Sequence, residues 1–486
     1  MIDYIVIGYV GILLLFQLFF QISPIVTFLT KTPLYSMQTY LGLLGGGLIL
    51  LDLFTTKRIW QGKYSYLLYG ILFAAALACV RTISYGTKEN LFKLCWAAIQ
   101  FVLIYSCAFR LEREKLNRFL QIVYFTLFGL WFVSCCVSLY QYVNQIGYMA
   151  VVNPLGKDLS ATRQGFYDNR LFGIFYTLNH AAFISLMFLV TGIFYLLKTK
   201  KVWLKIVLGV LQLPVLFHLI LANSRSACVA FLCCGIVVLW LMFFSLFRKR
   251  GWQQAVLPML ITIVLVVTCI TGFGLIKTGL GKAPALYMQW VEKNQPQPEP
   301  EPTPDSAPQT EPAPELNPDE DILHRENLEE DYSNGRLQIW RDYLSLYKDI
   351  GIIGLSPGNY MAHVFEHHQD KYIVQCIKEN YPDKYESGII YHVHSGYMMV
   401  YVSAGLIGIL LLALFMLLCI IRLIKKIARN EKLSLLFLGT LAIVIIGAIS
   451  AIFDEGLFFQ NNPHTTIFWL SLGIVMKEAT IKPTNQ

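Results

Sequence analysis

The sequence predicts an all-α polytopic membrane protein: about twelve transmembrane helices, with a large extracytoplasmic loop subdomain between spans nine and ten. Three observations predict it. Hydrophobic residues make up 56% of the chain and charged residues 14%, where a soluble domain carries roughly 25% charged residues. The apolar residues fall in runs near 20 residues, the length that crosses a bilayer as a helix. One hydrophilic stretch of about 120 residues, from Lys277 to Ser395, interrupts them. Such long apolar runs exclude a transmembrane β-barrel, whose strands alternate over short segments.

Taken in order, the spans are expected at 2–22, 34–54, 64–80, 91–109, 119–143, 172–197, 203–221, 227–247, 254–276, 396–421, 435–453 and 464–477. The last is short and follows Pro463, so eleven spans is the alternative count. The first lacks a basic leading region and an A-x-A-like cleavage site, and reads as a retained helix. The chain thus divides into spans one to nine (1–276), a linker (277–332), a loop subdomain (333–395), and spans ten to twelve with a tail (396–486).

Loop charge sets the expected orientation. One set of loops holds Lys57, Arg58 and Lys63; Arg110, Arg113, Lys115 and Arg118; Lys198, Lys200, Lys201 and Lys205; Arg248, Lys249 and Arg250; and Arg422, Lys425, Lys426, Arg429 and Lys432. Lys477 and Lys482 lie on the same side. The opposite loops hold Lys31, Arg81, Lys88, Lys157, Arg163, Arg170 and Arg225, a ratio of about three to one. By the positive-inside rule both termini are cytoplasmic and the long loop is outside. The net charge of +8 follows from this bias, and no basic stripe or RNA-binding motif points to nucleic acid. Ten of eleven cysteines lie in apolar spans and only Cys376 in the outer loop. A disulfide framework and a cysteine zinc site are therefore not expected.

The long loop has two parts. Residues 294–331 are rich in Pro and Glu, a composition that buries nothing and reads as an extended linker. Asp319-Glu320-Asp321 has the D-x-D spacing of metal-using glycosyltransferases, but inside an acidic run it reads as linker. From Ser333 the chain becomes foldable. Ser333 or Asn334 can cap a helix beginning near Arg336, and Leu337, Trp340, Leu344 and Tyr347 recur at helical spacing. Gly351, Gly354, Pro357 and Gly358 mark a turn, and a second helix is expected over 360–380.

Ionisable residues at a membrane edge are functional candidates. Arg225 lies in the short turn Asn223-Ser224-Arg225-Ser226 between two spans, where its donor fork suits phosphate oxygens. Ser224 and its neighbours add donors. Arg336 opens a helix, whose N-terminal amides also attract anions. Arg170 stands at the outer edge of the sixth span. The bland reading of Arg225 and Arg170 is snorkelling to headgroups; that of Arg336 is a solvated helix face or a salt bridge. His394, in His392-Val393-His394-Ser395, is the best general base, since histidine titrates near neutrality. Its bland reading is a hydrogen-bonded interfacial histidine, and His392 is the lesser candidate. His363-Val364-Phe365-Glu366-His367 fits H-x-x-E-H, a zinc-protease order. The segment is histidine-rich and its subdomain small, which favours a solvated polar helix.

Four segments carry a resemblance. They are Arg170 to Gly173 leading to Asn179, the Ser224-Arg225 turn, Gly335-Arg336 to Trp340 with Gly351–Gly358, and His394-Ser395-Gly396-Tyr397 to Gly405-Leu406-Ile407-Gly408. In this order and placement the chain resembles the O-antigen ligase / O-antigen polymerase superfamily of bacterial envelope glycosyltransferases. It departs at Ser395, where asparagine is usual, and at Leu178, where proline is frequent; the Pro/Glu linker resembles an insertion. The resemblance implies a metal-independent, inverting transfer with no cofactor, located in the bacterial cytoplasmic membrane. The implied donor is a glycan on undecaprenyl pyrophosphate, and the acceptor a sugar hydroxyl on an envelope polysaccharide or glycolipid. Arg225, Arg336 and Arg170 would then stabilise the pyrophosphate, with Ser224 and His392 assisting, and His394 would activate the acceptor. Ligase and polymerase share that donor and are not separated. The alternative is a polysaccharide transporter or flippase without catalysis. Transporters tend to place ionisable groups near the bilayer midplane, whereas here they cluster at one face.

Overall fold

The structure, a computed structural model, describes residues 2–150, 162–247, 253–294, 323, 333, 335–429 and 433–481. Lys157, Arg248, Lys249, Arg250, Asn334, Lys432, Lys482, the acidic Asp319–Asp321 run and most of the Pro/Glu linker lie outside these residues.

The apolar runs form long helices as expected. They are α1 (Ile2–Phe19), α3 (Met37–Phe54), α4 (Ser65–Arg81), α5 (Lys88–Arg110), α6 (Arg113–Val143), α7 (Leu178–Lys198), α8 (Val202–Leu221), α9 (Arg225–Leu246) and α10 (Gln253–Asn294), followed by α16 (Gly396–Ala428), α17 (Leu435–Phe453) and α18 (Pro463–Thr480). The short α2 (Ser23–Leu29) follows α1. Between α10 and α16 the loop subdomain folds as α11 (Arg336–Ser345), α12 (Tyr347–Ile350), α13 (Tyr360–His367), α14 (Tyr372–Asn380) and α15 (Pro382–Glu386). Among the described residues, ten helices are long and apolar enough to cross a membrane. Helix α4, at 17 residues, is a shorter apolar helix. Helix α18 carries His464, Thr465, Thr466, Ser471 and Glu478, yet is buried along nearly its whole length. Its neighbours are protein, so it does not need a lipid-like surface.

Three departures from the sequence reading matter for the site. First, the chain between α6 and α7 forms a three-stranded antiparallel sheet, β1 (Gly147–Ala150), β2 (Thr162–Tyr167) and β3 (Arg170–Gly173), with Gly147 opposite Gly165 and Phe166 opposite Leu171. The sixth span therefore starts at Leu178, not at 172. Strand β3 continues into a junction with the start of α2, where the Ser23 amide donates to the Ile174 carbonyl at 2.8 Å. Second, α10 runs on to Asn294, so residues 277–294 are helix and not linker. Tyr142 donates to the Leu280 carbonyl at 2.6 Å and Lys277 to Asn223 Oδ1 at 3.1 Å, which anchors this extension to the tops of α6 and α8. Third, α16 breaks at Gly405, with φ 66° and ψ −160°. The turn after α12 fills the break. Leu355 donates its amide to the Val402 carbonyl (2.8 Å), and the Gly351 and Ile352 carbonyls accept from Leu406 and Ile407 at 3.2 and 3.1 Å. Backbone groups freed by the kink thus find partners inside protein, as membrane-depth backbone requires.

Ion pairs separate the two ends of the bundle. At one end Asp3 pairs with Arg58 (2.8 Å), and Arg110 grips Asp52 through two nitrogens at 2.8 and 3.0 Å, both side chains fully buried. Arg113 pairs there with Glu478 at 3.3 Å. The first and last helices therefore start and finish at the same end, together with the basic loops after α3 and α5. The sheet, the loop subdomain and the histidines gather at the other end.

Candidate functional site

The histidine segment enters the site held by hydrogen bonds from the loop subdomain. Gly335, at φ 74°, turns the chain into α11, and Ser333 Oγ accepts from the Leu337 amide at 3.4 Å. Helix α11 then presents Trp340, whose indole N–H donates to the Val393 carbonyl at 3.0 Å, and Tyr343, whose hydroxyl donates to the Tyr391 carbonyl at 2.8 Å. Between those two anchors lies His392. His394 follows in a left-handed conformation, φ 48°, which is uncommon for a side chain larger than glycine and marks a constrained position. Ser395 donates to the Ala451 carbonyl at 3.2 Å and so fixes the start of α16 against the end of α17.

The end of α17 supplies two acids that the sequence reading did not single out. Glu455 lies 3.1 Å from His392 Nδ1, and Asp454 Oδ1 lies 3.2 Å from His180 Nε2. His180 in turn packs against His464, ring centroids 4.8 Å apart. The signal was present: Asp454-Glu455 sits where an apolar span ends, and carboxylates at a membrane edge are costly without a purpose.

Burial opposes charge on both acids, yet each is held below the usual carboxylate range, Asp454 by His180 and Glu455 by His392. Glu455 holds His392 above the ordinary histidine value. His394 is shifted the other way. Burial pushes it down, and the charges of His392 and Arg336 add to that, against opposing pulls from Glu455 and Asp454. Among the described residues nothing hydrogen-bonds its ring, so its nitrogens remain available to a ligand. Burial also lowers Arg336, which feels the attraction of Asp454 and the repulsion of Arg225. Arg336, Arg225, His394 and the acidic pair therefore share one electrostatic neighbourhood, although up to about 230 residues separate them in sequence.

Arg170, on β3, holds the α8–α9 turn. Its Nε donates to the Ala222 carbonyl at 3.2 Å and an amino group lies 3.4 Å from Asn179 Oδ1, which also accepts from Ser224 Oγ at 3.3 Å. Arg170, Asn179 and Ser224 thus form a brace beneath Arg225. Beside His180 opens a cavity of about 450 Å³ whose polar lining includes Gln21, Gln38, Tyr176, Asn461 and Asn462. Amides and hydroxyls of this kind match sugar hydroxyls.

The H-x-x-E-H segment is helical, and His363 and His367 lie on one face with ring centroids 4.7 Å apart. His367 and His363 both approach the Tyr85 hydroxyl, at 3.0 and 3.4 Å.

Fold and site define a polytopic membrane protein whose ionisable groups converge at one end of the bundle, beneath a helical loop subdomain. Residues 213–413 match the family model of O-antigen ligases, and this match supports a likeness to the O-antigen ligase/polymerase superfamily. The matched region contains Arg225, Arg336, His392 and His394, while Arg170, His180, Asp454 and Glu455 lie outside it. No curated protein and no solved structure matches the chain.

Proposed function

We propose that the protein transfers a glycan from undecaprenyl pyrophosphate to a sugar hydroxyl of an envelope acceptor, with inversion at the anomeric carbon. His394 takes the proton of the acceptor hydroxyl. The resulting oxygen attacks the anomeric carbon on the face opposite the pyrophosphate, the bond from that carbon to the phosphate oxygen breaks, and the electron pair leaves on the pyrophosphate. Pyrophosphate is already a good leaving group, so it needs charge stabilisation more than protonation. Arg336 and Arg225 supply that stabilisation. Arg170 and Ser224 hold the Arg225 turn, and His392, charged against Glu455, adds a positive group beside the site. The cavity at His180 suits the sugars next to the scissile bond.

The observation that carries this reading is geometric: α11, which begins at Arg336, bonds the Val393 and Tyr391 carbonyls through Trp340 and Tyr343, so that it holds the backbone on either side of His392 and next to His394, while burial favours the neutral form of His394. A base must be neutral and an anion site cationic. The basic loops collected at the opposite end support an orientation with both termini in the cytoplasm of a bacterium and the site on the outer face of its cytoplasmic membrane.

The test is a reconstituted reaction without any ion or voltage gradient, using a synthetic undecaprenyl-pyrophosphate glycan and an acceptor glycan. Wild-type protein should release undecaprenyl pyrophosphate and lengthen the acceptor. His394→Ala should fold but turn over about 10²–10⁴-fold more slowly. Donor that stays intact in every acceptor tried, yet crosses the bilayer, would instead identify a transporter.

A further inference from the structure

A second cluster of chemistry-bearing side chains lies in the loop subdomain and is not used by the proposed reaction. Asp349 comes from α12, His363 from α13, and His368 from the residue that ends α13. His368 Nε2 stands 3.1 Å from Asp349 Oδ2, and His363 Nε2 stands 3.9 Å from Asp349 Oδ1. All three potential ligand atoms lie within 4.8 Å of one another. A tetrahedral zinc with bonds of about 2.0–2.1 Å separates its ligand atoms by about 3.3 Å, so small side-chain rotations close the set.

Two further features point to a cation at the centre. Both Nε2 atoms are buried from solvent and, among the described residues, neither has a hydrogen-bond partner. His368 Nε2 is within hydrogen-bonding distance of the carboxylate but does not satisfy hydrogen-bond angles to it. Two imidazole nitrogens and a carboxylate that crowd one point without bonding each other are arranged as ligands of a third body. Buried polar atoms left unpaired call for an explanation of this kind. The other nitrogen of His363 is 3.4 Å from the Tyr85 hydroxyl, the sort of outer contact that orients a ligating imidazole.

We propose that Asp349, His363 and His368 bind a divalent transition metal, best matched by Zn²⁺, as a structural clip separate from the transfer chemistry. Two imidazoles and one carboxylate are a zinc donor set that leaves a fourth position for water. The clip ties α12 to α13 across the glycine turn 351–358. That turn carries the backbone that docks into the Gly405 break of α16, and Arg81 donates to its Gly354 carbonyl at 3.2 Å. Helix α13 also begins with Tyr360, whose hydroxyl lies 3.5 Å from His392 Nδ1. Metal binding would therefore stiffen the seat of the loop subdomain on the bundle.

The test uses full-length protein in detergent, purified on a tag without histidine and stripped with a chelator. After equilibration with Zn²⁺ and gel filtration, elemental analysis should find one tightly held zinc per chain, and zinc should raise the melting temperature. The Co²⁺ form should show visible bands of a tetrahedral nitrogen and oxygen site without a thiolate charge-transfer band. Asp349→Asn and His368→Gln, nearly isosteric changes chosen to preserve folding, should each abolish uptake and the thermal shift. His367→Ala should retain both. The proposal is overturned if the wild type takes up no zinc or cobalt, or if uptake survives both Asp349→Asn and His368→Gln. It also fails if His367→Ala or Glu366→Ala removes the metal while His368→Gln keeps it, because the H-x-x-E-H order would then be the site. A thiolate band would move the site to Cys376 and sink the proposal equally. None of these readouts depends on transfer activity, so this result and the reading of the active end stand or fall separately.

Discussion

His394 shows how a single residue's surroundings translate into a measurable profile. Burial, with His392 and Arg336 adding, holds its folded value below the ordinary histidine value of about 6.5. The neutral, proton-accepting form therefore persists to lower pH than in a free imidazole. Transfer should fall on the acid side with a midpoint below about 6.5 in a kcat/KM profile of the reconstituted reaction. His392→Gln removes a cation that depresses His394 and leaves Glu455 free to attract its proton, and both changes act upward. The acid midpoint should move to higher pH in that variant, with a smaller loss of maximal rate than His394→Ala. An unmoved or lowered midpoint would show that another group governs the limb. At Arg225 the issue is shape and not charge alone. Lysine keeps the charge but offers a point donor in place of a planar fork. Arg225→Lys should lose most of the transfer rate and weaken donor binding, measured as kcat and donor KM. Full activity in that variant would reduce the arginine to simple charge attraction.

At the scale of elements, the site depends on one interlock. Gly405 adopts a φ of 66°, and a Cβ there would stand 2.3 Å from the Ile352 carbonyl oxygen and 2.6 Å from the Gly354 amide nitrogen. Gly354 faces it with φ 101°, and a Cβ there would stand 2.6 Å from the Gly405 nitrogen. Two backbones meet with no room for a side chain on either. Gly405→Ala should destabilise the protein by at least about 1–3 kcal/mol from backbone strain, before the steric clash is counted. The check is a lower melting temperature in detergent, with a loosened loop subdomain seen as faster amide exchange over 351–358. An unchanged melting temperature would mean that the interlock adds nothing to stability. The same subdomain grips the histidine segment through Trp340 and Tyr343, so loosening should also lower transfer.

At the scale of the whole molecule, a bundle of long helices holds its two ends in different chemistry. One end is pinned by the Asp52–Arg110 pair and its neighbours, while the other gathers the acids, histidines and arginines of the site. The loop subdomain begins its folded core at α11 and is anchored by its own contacts to α16 and to the 391–393 segment. Against the expectation that the whole linker buries nothing, Leu323 is fully buried beside Tyr142, Leu171 and Leu221, whereas residues 296–318 offer only Ala307, Ala313 and Leu316 besides their prolines as apolar side chains. Deleting residues 296–318 should leave folding and transfer nearly intact, because the deleted stretch has little apolar surface to bury and closure entropy changes only slowly with the length of a connection. Monodisperse but inactive protein would show that this segment has a part in the reaction.

Sequence alone determined the membrane class and the approximate positions of the long helices. Hydropathy and loop charge are local sums, and local sums can be read along a chain. It also singled out His394, Arg336, Arg225 and Arg170, because an ionisable group beside a lipid-facing run is conspicuous wherever the chain goes. Only the tertiary structure decided the partners. Asp454 and Glu455 come to His180 and His392 across 274 and 63 positions, and no periodicity records such a meeting. Hydropathy ranked α18 as the weakest span although it is buried along nearly its whole length, because hydropathy measures fitness for lipid and α18 touches protein. The kink at Gly405 and the sheet of 147–173 were hidden for a related reason. The kink is held by hydrogen bonds to residues 351–355, and the end of the sheet is fixed by the Ser23 amide on the Ile174 carbonyl; both partners are placed by the packing of the whole bundle.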